Sequence, residues 1–138
     1  MGDADIEPRV RAICLGLPEA TERTSHGSPG FFVGKQFVML WPGGHHDHQF
    51  PHLWCAAPDG AQDALAAADG DRYFRPPYVG TRGWIGVRLD GAVDWDAVEG
   101  LCVDAYRCVA PKRLVAALDE RVTADPSPST ARPPVPGE

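Results

Sequence analysis

Lysine and net positive charge are both scarce in this chain. Only Lys35 and Lys112 accompany 11 arginines, and the formal net charge over 138 residues is −6. DNA-binding domains are usually basic, because neutralised phosphates supply most of their affinity. The composition therefore disfavours a dedicated DNA-binding domain unless a basic patch forms locally.

Long hydrophobic runs and metal-type cysteine pairs are missing as well. No apolar run approaches the roughly 18 residues of a membrane helix, and the N-terminus shows no hydrophobic leader. The cysteines are Cys14, Cys55, Cys102 and Cys108. None forms a CxxC pair, which disfavours a zinc ribbon, and we expect the first three to be buried as small hydrophobic residues. These absences predict a cytoplasmic protein with reduced thiols and no membrane partner.

Recognisable catalytic motifs are also absent. The sequence contains no G-x-S-x-G, no HExxH and no phosphate-binding loop. His26 lies in a Ser-His-Gly turn, and we interpret it as a turn-stabilising residue, because a hydrolase needs a nucleophile, a base and an oxyanion hole together. We therefore expect a binding protein without a cofactor, and not an enzyme.

The hydrophobic periodicity predicts one α+β domain at residues 1–121. Helices are expected at 5–17, at 61–68, after the N-cap Asp94 and at 112–121, and strands at 31–33, 37–41, 52–57 and 84–89. Strands grouped between helices, as α-β(3)-α-β(2)-α, indicate a two-layer fold in which an antiparallel sheet has its helices on one face. Residues 122–138 are rich in proline and lack periodicity, so they are expected to form a disordered tail.

The segment at 72–90 combines arginine, aromatic residues and glycine. Its arginines, with no acidic residue among them, are Arg72, Arg75, Arg82 and Arg88. The aliphatic residues of the strand are expected to face the helices, because side chains alternate along a strand. Trp84 and Arg88 then lie on the opposite face, where Gly86 leaves a shallow floor between them.

A two-layer fold leaves this second sheet face uncovered, so an aromatic patch on it needs a partner. We expect Trp54, with Trp41 as a further candidate, to join Trp84 there, and Tyr78 and Arg82 to lie at the edge. Flat rings beside arginine suit stacking on nucleic-acid bases or on a planar small molecule, and they also suit a subunit interface such as a homodimer. The alternative is that the rings only complete a small core and the arginines are solvated.

Several motifs, in a fixed order along the chain, resemble those of a known family. They are Ser25-His26-Gly27, Phe31 to Val33, Phe37 to Trp41, His45 to Asp47, Leu53 to Pro58, Pro76 to Val87 and Ala105 to Arg113. They resemble the MmcQ/YjbR family of the DUF419 type, and the resemblance covers about residues 6–118. The resemblance implies a compact α+β domain, similar in its layers to type III secretion chaperones, and a DNA-binding protein with a double-wing motif. It implies no catalytic residues.

Basic residues on turns are the candidates for the DNA contacts that this resemblance implies. Lys35 lies on a hairpin turn, and Arg75 and Arg82 lie in the irregular segment before the last strand. Lys112 and Arg113 begin the last helix. Such residues can contact phosphates, with two hairpin tips as the wings. Because the charges are few, we expect any DNA binding to be weak and sensitive to salt.

A histidine-rich loop is a weak candidate for a metal site. Its histidines, within eight residues of one another, are His45, His46, His48 and His52. Imidazole groups with the neighbouring Asp47 suit zinc, nickel or copper. Pro51 opposes the helix that would align His48 with His52, so we interpret the loop as solvated, with only adventitious metal binding.

Overall fold

The computed structural model describes residues 3–44 and 49–124 of the chain. Its helices are α1 (Asp3–Leu15), α2 (Ala61–Ala68), α3 (Trp95–Val109) and α4 (Lys112–Ala124). Its strands are β1 (Thr21–Ser25), β2 (Ser28–Val33), β3 (Lys35–Trp41), β4 (His52–Cys55), β5 (Tyr73–Phe74) and β6 (Ile85–Arg88). A short 3-10 helix at Val79–Arg82 precedes β6. None of the helices in the described ranges is long and apolar enough to span a membrane.

The strands form one antiparallel sheet in the order β1-β2-β3-β4-β6-β5. The predicted α+β class is confirmed, but four strands precede α2 where three were expected. The additional strand is the polar β1, which pairs with β2 across the two-residue turn His26-Gly27. Both turn residues have positive φ, 53° and 80°, as a type I′ hairpin turn requires. Local turn geometry therefore makes a strand of a segment that lacks an apolar pattern.

One face of the sheet is covered by helices. α1 and α3 pack against each other and against β3, and the Tyr106 ring of α3 meets Phe37 edge-on at 5.7 Å between centroids. Leu40 and Leu53, paired on neighbouring strands, are completely buried on this side. The Tyr106 hydroxyl donates a 2.8 Å hydrogen bond to the carbonyl of Pro18, which ties α3 to the end of the α1 region.

A β-bulge in β3 decides which side chains reach the other face. Phe31 pairs with Val38 and Phe32 pairs with Gln36, so Phe37 is an extra residue in β3. An extra residue shifts the alternation of the bulged strand by one position. Gln36 and Met39 are therefore on the same face although they are three residues apart.

The ends of several elements differ from the sequence prediction. β4 ends at Cys55, two residues early, because the Ala56 amide donates to the carbonyl of the bulged Phe37 and the regular ladder stops there. β6 begins after Trp84. α4 continues to Ala124, past the predicted domain end at 121, and the rest of the predicted tail, 125–138, lies outside the described residues. Asp94 is the N-cap of α3 as predicted, since its Oδ1 accepts a 3.2 Å hydrogen bond from the Ala97 amide.

Three of the four cysteines lie in the core, as predicted for those three. Cys14, Cys55 and Cys102 are buried, and Cys108 is exposed. Burial raises the pKa of the Cys55 thiol, and a hydrogen bond with Cys102 together with burial raises that of Cys14. Thiols held in the protonated form are poor nucleophiles and poor metal ligands, so these side chains act as small hydrophobic residues.

Candidate functional site

A pocket of about 550 Å³ lies on the sheet face opposite α1 and α3. Among the described residues, it is lined by His26, Gln36, Met39, Trp41, Trp54, Tyr78, Val79 and Trp84. We call this the tryptophan pocket, because three of the four tryptophans in the chain meet there. The fourth, Trp95, begins α3.

Strand register brings the indole rings together. Met39 of β3 stands directly opposite Trp54 of β4, and Trp41 is two residues further along β3 on the same face. The Trp41 and Trp54 rings are 5.1 Å apart between centroids and tilted by 60°. Trp84 enters from the residue before β6. All three rings are at least nine-tenths buried, at 8%, 6% and 5% exposure, so they form walls of a recess and not a flat patch.

The segment before β6 is fastened to α2 by one buried side chain. The Gln62 amide nitrogen donates to the carbonyl of Gly80 at 2.9 Å and to that of Trp84 at 2.6 Å. Arg75 NH1 lies 3.5 Å from Gln62 Oε1, and a Cβ on Gly80 would come within 2.8 Å of the Arg75 side chain. These contacts fix the backbone that presents Tyr78 and Trp84 to the pocket.

Tyr78 has an unusual backbone at the rim of the pocket. Its φ of 64° and ψ of −68°, with a 2.6 Å hydrogen bond from the Val79 amide to the Pro77 carbonyl, describe the rare γ-turn with positive φ. This conformation is strained for any residue with a Cβ, and such strain concentrates at ligand clamps and active sites. The turn leaves the ring of Tyr78 71% exposed while it still lines the pocket.

The pocket is also lined by two polar side chains, which the sequence analysis did not place there. His26 reaches it from the β1–β2 turn, where its Nδ1 lies 3.1 Å from Ser25 Oγ. Gln36 uses its amide nitrogen to donate to Met39 Sδ at 3.1 Å. The position of Gln36 depends on the bulge at Phe37. The two-residue hairpin that positions His26 could have been recognised from its His-Gly turn.

Arg82 and Arg88 have different surroundings. The Arg82 guanidinium carbon lies 5.3 Å from the centroid of the Trp84 ring, on an exposed side chain. Arg88 is on the same sheet face as His52, its cross-strand partner, but it does not line the tryptophan pocket. Its guanidinium forms two bonds to Asp90, at 3.0 and 2.8 Å, and this ion pair raises the pKa of Arg88 and lowers that of Asp90. Arg88 therefore shares a sheet face with Trp84 as predicted, but its guanidinium lies 4.0 Å from the centroid of Phe50 and outside the tryptophan pocket.

The expected shallow floor at Gly86 is wrong. The ring of Phe74, the cross-strand neighbour of Gly86, covers the glycine so closely that a Cβ there would overlap it. Phe74 belongs to a cluster with Phe50 and His52, whose rings lie 5.4 to 5.8 Å apart. This cluster lies on the sheet face that the two-layer interpretation expected to be uncovered, next to the tryptophan pocket.

Of the four histidines proposed as weak metal ligands, the structure describes His52. This residue is completely buried, its Nδ1 lies 2.7 Å from the Phe50 carbonyl, and its ring packs among aromatic side chains. His45, His46 and His48 lie outside the described residues. In the part of the chain that is described, no group of three histidine, cysteine, aspartate or glutamate residues is placed to hold a metal ion.

Comparison with known proteins identifies the family. The family model named YjbR matches residues 15–108, more than half of the chain. The chain belongs to the YjbR family. The crystal structure of Deinococcus radiodurans protein DR2400, a DUF419 domain, superposes with a TM-score of 0.62 at 18% identity, covering 80% of this chain and 85% of that one. This similarity establishes the fold. A search of the curated proteins gives no match.

The other basic residues of this YjbR domain that were predicted to contact phosphates lie on separate elements. Lys35 is exposed at the β2–β3 turn, and Lys112 is exposed at the start of α4. Arg113 pairs with Glu19 at 3.2 Å, which raises the pKa of its guanidinium. Arg75 contacts Gln62, as described above. Of the arginines proposed for phosphate contacts, Arg113 thus already faces a carboxylate of its own chain.

Proposed function

We propose that this YjbR domain binds a planar small molecule in the tryptophan pocket. The observation that carries the proposal is the convergence of Trp41, Trp54 and Trp84 around a cavity of about 550 Å³. Small-molecule sites in proteins have volumes of roughly 300–1,000 Å³, with mostly apolar and aromatic walls and a few polar groups. The pocket has this composition, with His26 and Gln36 as its polar groups.

The chemistry of the walls favours a flat ring as the ligand. Indole faces stack on planar π-systems, and a ring held between them loses water from both of its faces. The walls are already fixed, because Trp54 lies in the middle of the sheet and the Trp84 carbonyl is bonded to Gln62. A preformed site avoids much of the ordering entropy that weakens binding.

Two observations favour a small molecule over DNA as the ligand. The tryptophan rings line a recess, in which a duplex could not stack on them. The chain has a net charge of −6, and Arg88 and Arg113 are paired with Asp90 and Glu19. DNA binding, which the family resemblance implies, predicts a titration with steep salt dependence. A homodimer formed through this face predicts twice the monomer mass in solution.

Calorimetric titration with naphthalenemethanol, a neutral planar probe, tests the proposal. We expect saturable binding to the wild type, weakened about fivefold or more by Trp84→Leu, because stacking on one aromatic ring contributes roughly 1–3 kcal/mol. Trp95→Leu is the matched control, since Trp95 begins α3 and does not line the pocket. Failure to bind any planar probe, or equal weakening by both substitutions, would contradict binding in this pocket.

A further inference from the structure

We infer that the ligand is a planar aromatic ring with an anionic substituent, held at the mouth of the tryptophan pocket by Arg82. The inference rests on the proposed function, since it names the class of ligand for the same pocket. It depends on the position of one guanidinium and on the charges around the opening.

Arg82 is placed to contact a ligand that stacks in the pocket. Its guanidinium carbon lies 5.3 Å from the centroid of Trp84, one of the pocket walls, and the side chain is exposed. Among the side chains that the structure describes, those of residues 6–44 and 49–120, no carboxylate forms an ion pair with Arg82. Arg82 is not itself among the residues that line the pocket, but its guanidinium lies beside one of the pocket walls and is not held by an ion pair with these residues.

The described lining of the pocket carries none of the negative charge that dominates the protein. The chain carries a net charge of −6, yet none of the described residues that line the pocket is acidic. The polar side chains of the lining are His26 and Gln36, together with the hydroxyl of Tyr78 and the indole nitrogens. An anion here gains from Arg82 without repulsion from a lining carboxylate. A cation finds no neutralising carboxylate in that lining and is repelled by Arg82.

Guanidinium chemistry matches this ligand class. Arginine binds carboxylate or phosphate through two parallel N–H···O bonds, and its planar group also stacks on aromatic faces. A guanidinium held beside the Trp84 ring can therefore bond to an anionic group that projects from a ring inside the pocket. The side-chain amide of Gln36, which lines the pocket, can form a hydrogen bond with a polar atom at the edge of the same ring.

Four naphthalene probes of similar shape test the inference. Naphthoate and naphthyl phosphate are anionic, naphthalenemethanol is neutral and naphthalenemethylamine is cationic. We expect at least one anionic probe to bind about tenfold more tightly than the alcohol, because charge-assisted hydrogen bonds are the stronger kind, and the amine to bind least. The tighter of the two anionic probes distinguishes a carboxylate from a phosphate ligand. Inorganic phosphate, which has no ring, should not bind measurably.

Substitution of Arg82 separates charge recognition from ring binding. Arg82→Gln should remove the advantage of the anionic probes and leave the affinity for the alcohol within about twofold. Arg9→Gln is the matched control, because Arg9 lies over Trp95, away from the pocket, at a similar 5.2 Å. Equal affinity for anionic and neutral probes, or an anionic preference that survives Arg82→Gln, would overturn the inference while the proposed function stands. No binding of any probe would overturn the proposed function itself.

Discussion

The two faces of the same sheet are packed with different kinds of side chain. Toward the helices lie aliphatic residues such as Leu53 and Val87, which are paired across β4 and β6 and are 0% and 1% exposed. On the other side, the next residue, Trp54, contributes a large flat ring to a cavity of about 550 Å³. The strands are shared, so the difference lies in the side chains and in what covers them.

This contrast shows which face contributes most to the stability of the fold and which face has space for a ligand. Branched aliphatic side chains interdigitate with helices to crystal-like density, and a lost methylene is felt there. The indoles of Trp41 and Trp54 contact each other at 60°, and together with Trp84 they border a cavity of about 550 Å³ that a planar guest can occupy. The helix-covered face therefore specifies the fold, and the tryptophan face is available for binding.

Truncation on the helix-covered face should have the largest effect on stability. Leu53→Ala should lower the free energy of unfolding by about 2–5 kcal/mol, because it opens a cavity beneath packed helices. Urea denaturation measures the loss. Planar-probe affinity per folded molecule should stay near the wild-type value, since Leu53 points away from the pocket. A loss below about 1 kcal/mol would contradict the close packing assigned to this face.

Addition of one methyl group on the tryptophan face should have the next largest effect. Gly86→Ala places a Cβ inside the ring of Phe74 and should cost about 1–3 kcal/mol, as overpacking does. In a Phe74→Leu background the same substitution should cost clearly less. Equal costs in both backgrounds, measured by urea denaturation, would mean that Phe74 does not cover Gly86.

Substitutions of Tyr78 should have a smaller effect on stability, which reports the backbone strain at the rim of the tryptophan pocket. Tyr78→Gly and Tyr78→Ala both remove the ring, but only glycine adopts positive φ freely, so the glycine variant should be more stable by about 1 kcal/mol. At Glu99, on the exposed surface of α3, the order should reverse, because alanine is the better helix former by a similar amount. Thermal or urea unfolding measures both pairs. A more stable alanine variant at position 78 would contradict the γ-turn.

Acid should have the smallest effect. Arg11 lowers the pKa of Glu22 through hydrogen bonds of 2.7 and 2.9 Å. A lowered folded-state pKa means that the stabilisation is present above the unfolded value, near 4.3, and is lost as pH falls through the folded value. Glu22→Gln should cost about 0.2–1 kcal/mol at about pH 6 and almost nothing at about pH 2, because the pair is partly exposed. A cost that does not change with pH would point to packing as its cause.

Much of the fold could be predicted from the sequence, because it follows from local patterns. The apolar spacing of α1, the N-cap Asp94 and the grouping of strands between helices reappear in the structure, with one more strand before α2 than predicted. Strand β1 was missed because its only signal is the turn at His26-Gly27. Helix α4 ends at Ala124 and not at the predicted residue 121, because the first residues after 121 carry no proline or glycine that would stop the helix.

The site was less predictable, because long-range geometry builds it. Alternation directed Trp54 and Trp84 to one face, and the structure brings both to the same pocket. Two features could not be predicted from the local sequence, because they depend on neighbouring strands. One is the bulge that places Gln36, and the other is the ring that covers Gly86. The pairing of Arg88 with Asp90 could have been recognised, because residues two apart in an extended chain lie on the same side.

The indole N–H signals of the four tryptophans provide the most direct test of ligand binding in the tryptophan pocket. In a protein with isotope-labelled tryptophan, titration with naphthoate should shift the signals of Trp41, Trp54 and Trp84 saturably with one common affinity. The signal of Trp95, which begins α3 and does not line the pocket, should stay in place. No saturable shift, or equal shifts of all four signals, would contradict a ligand site in this pocket.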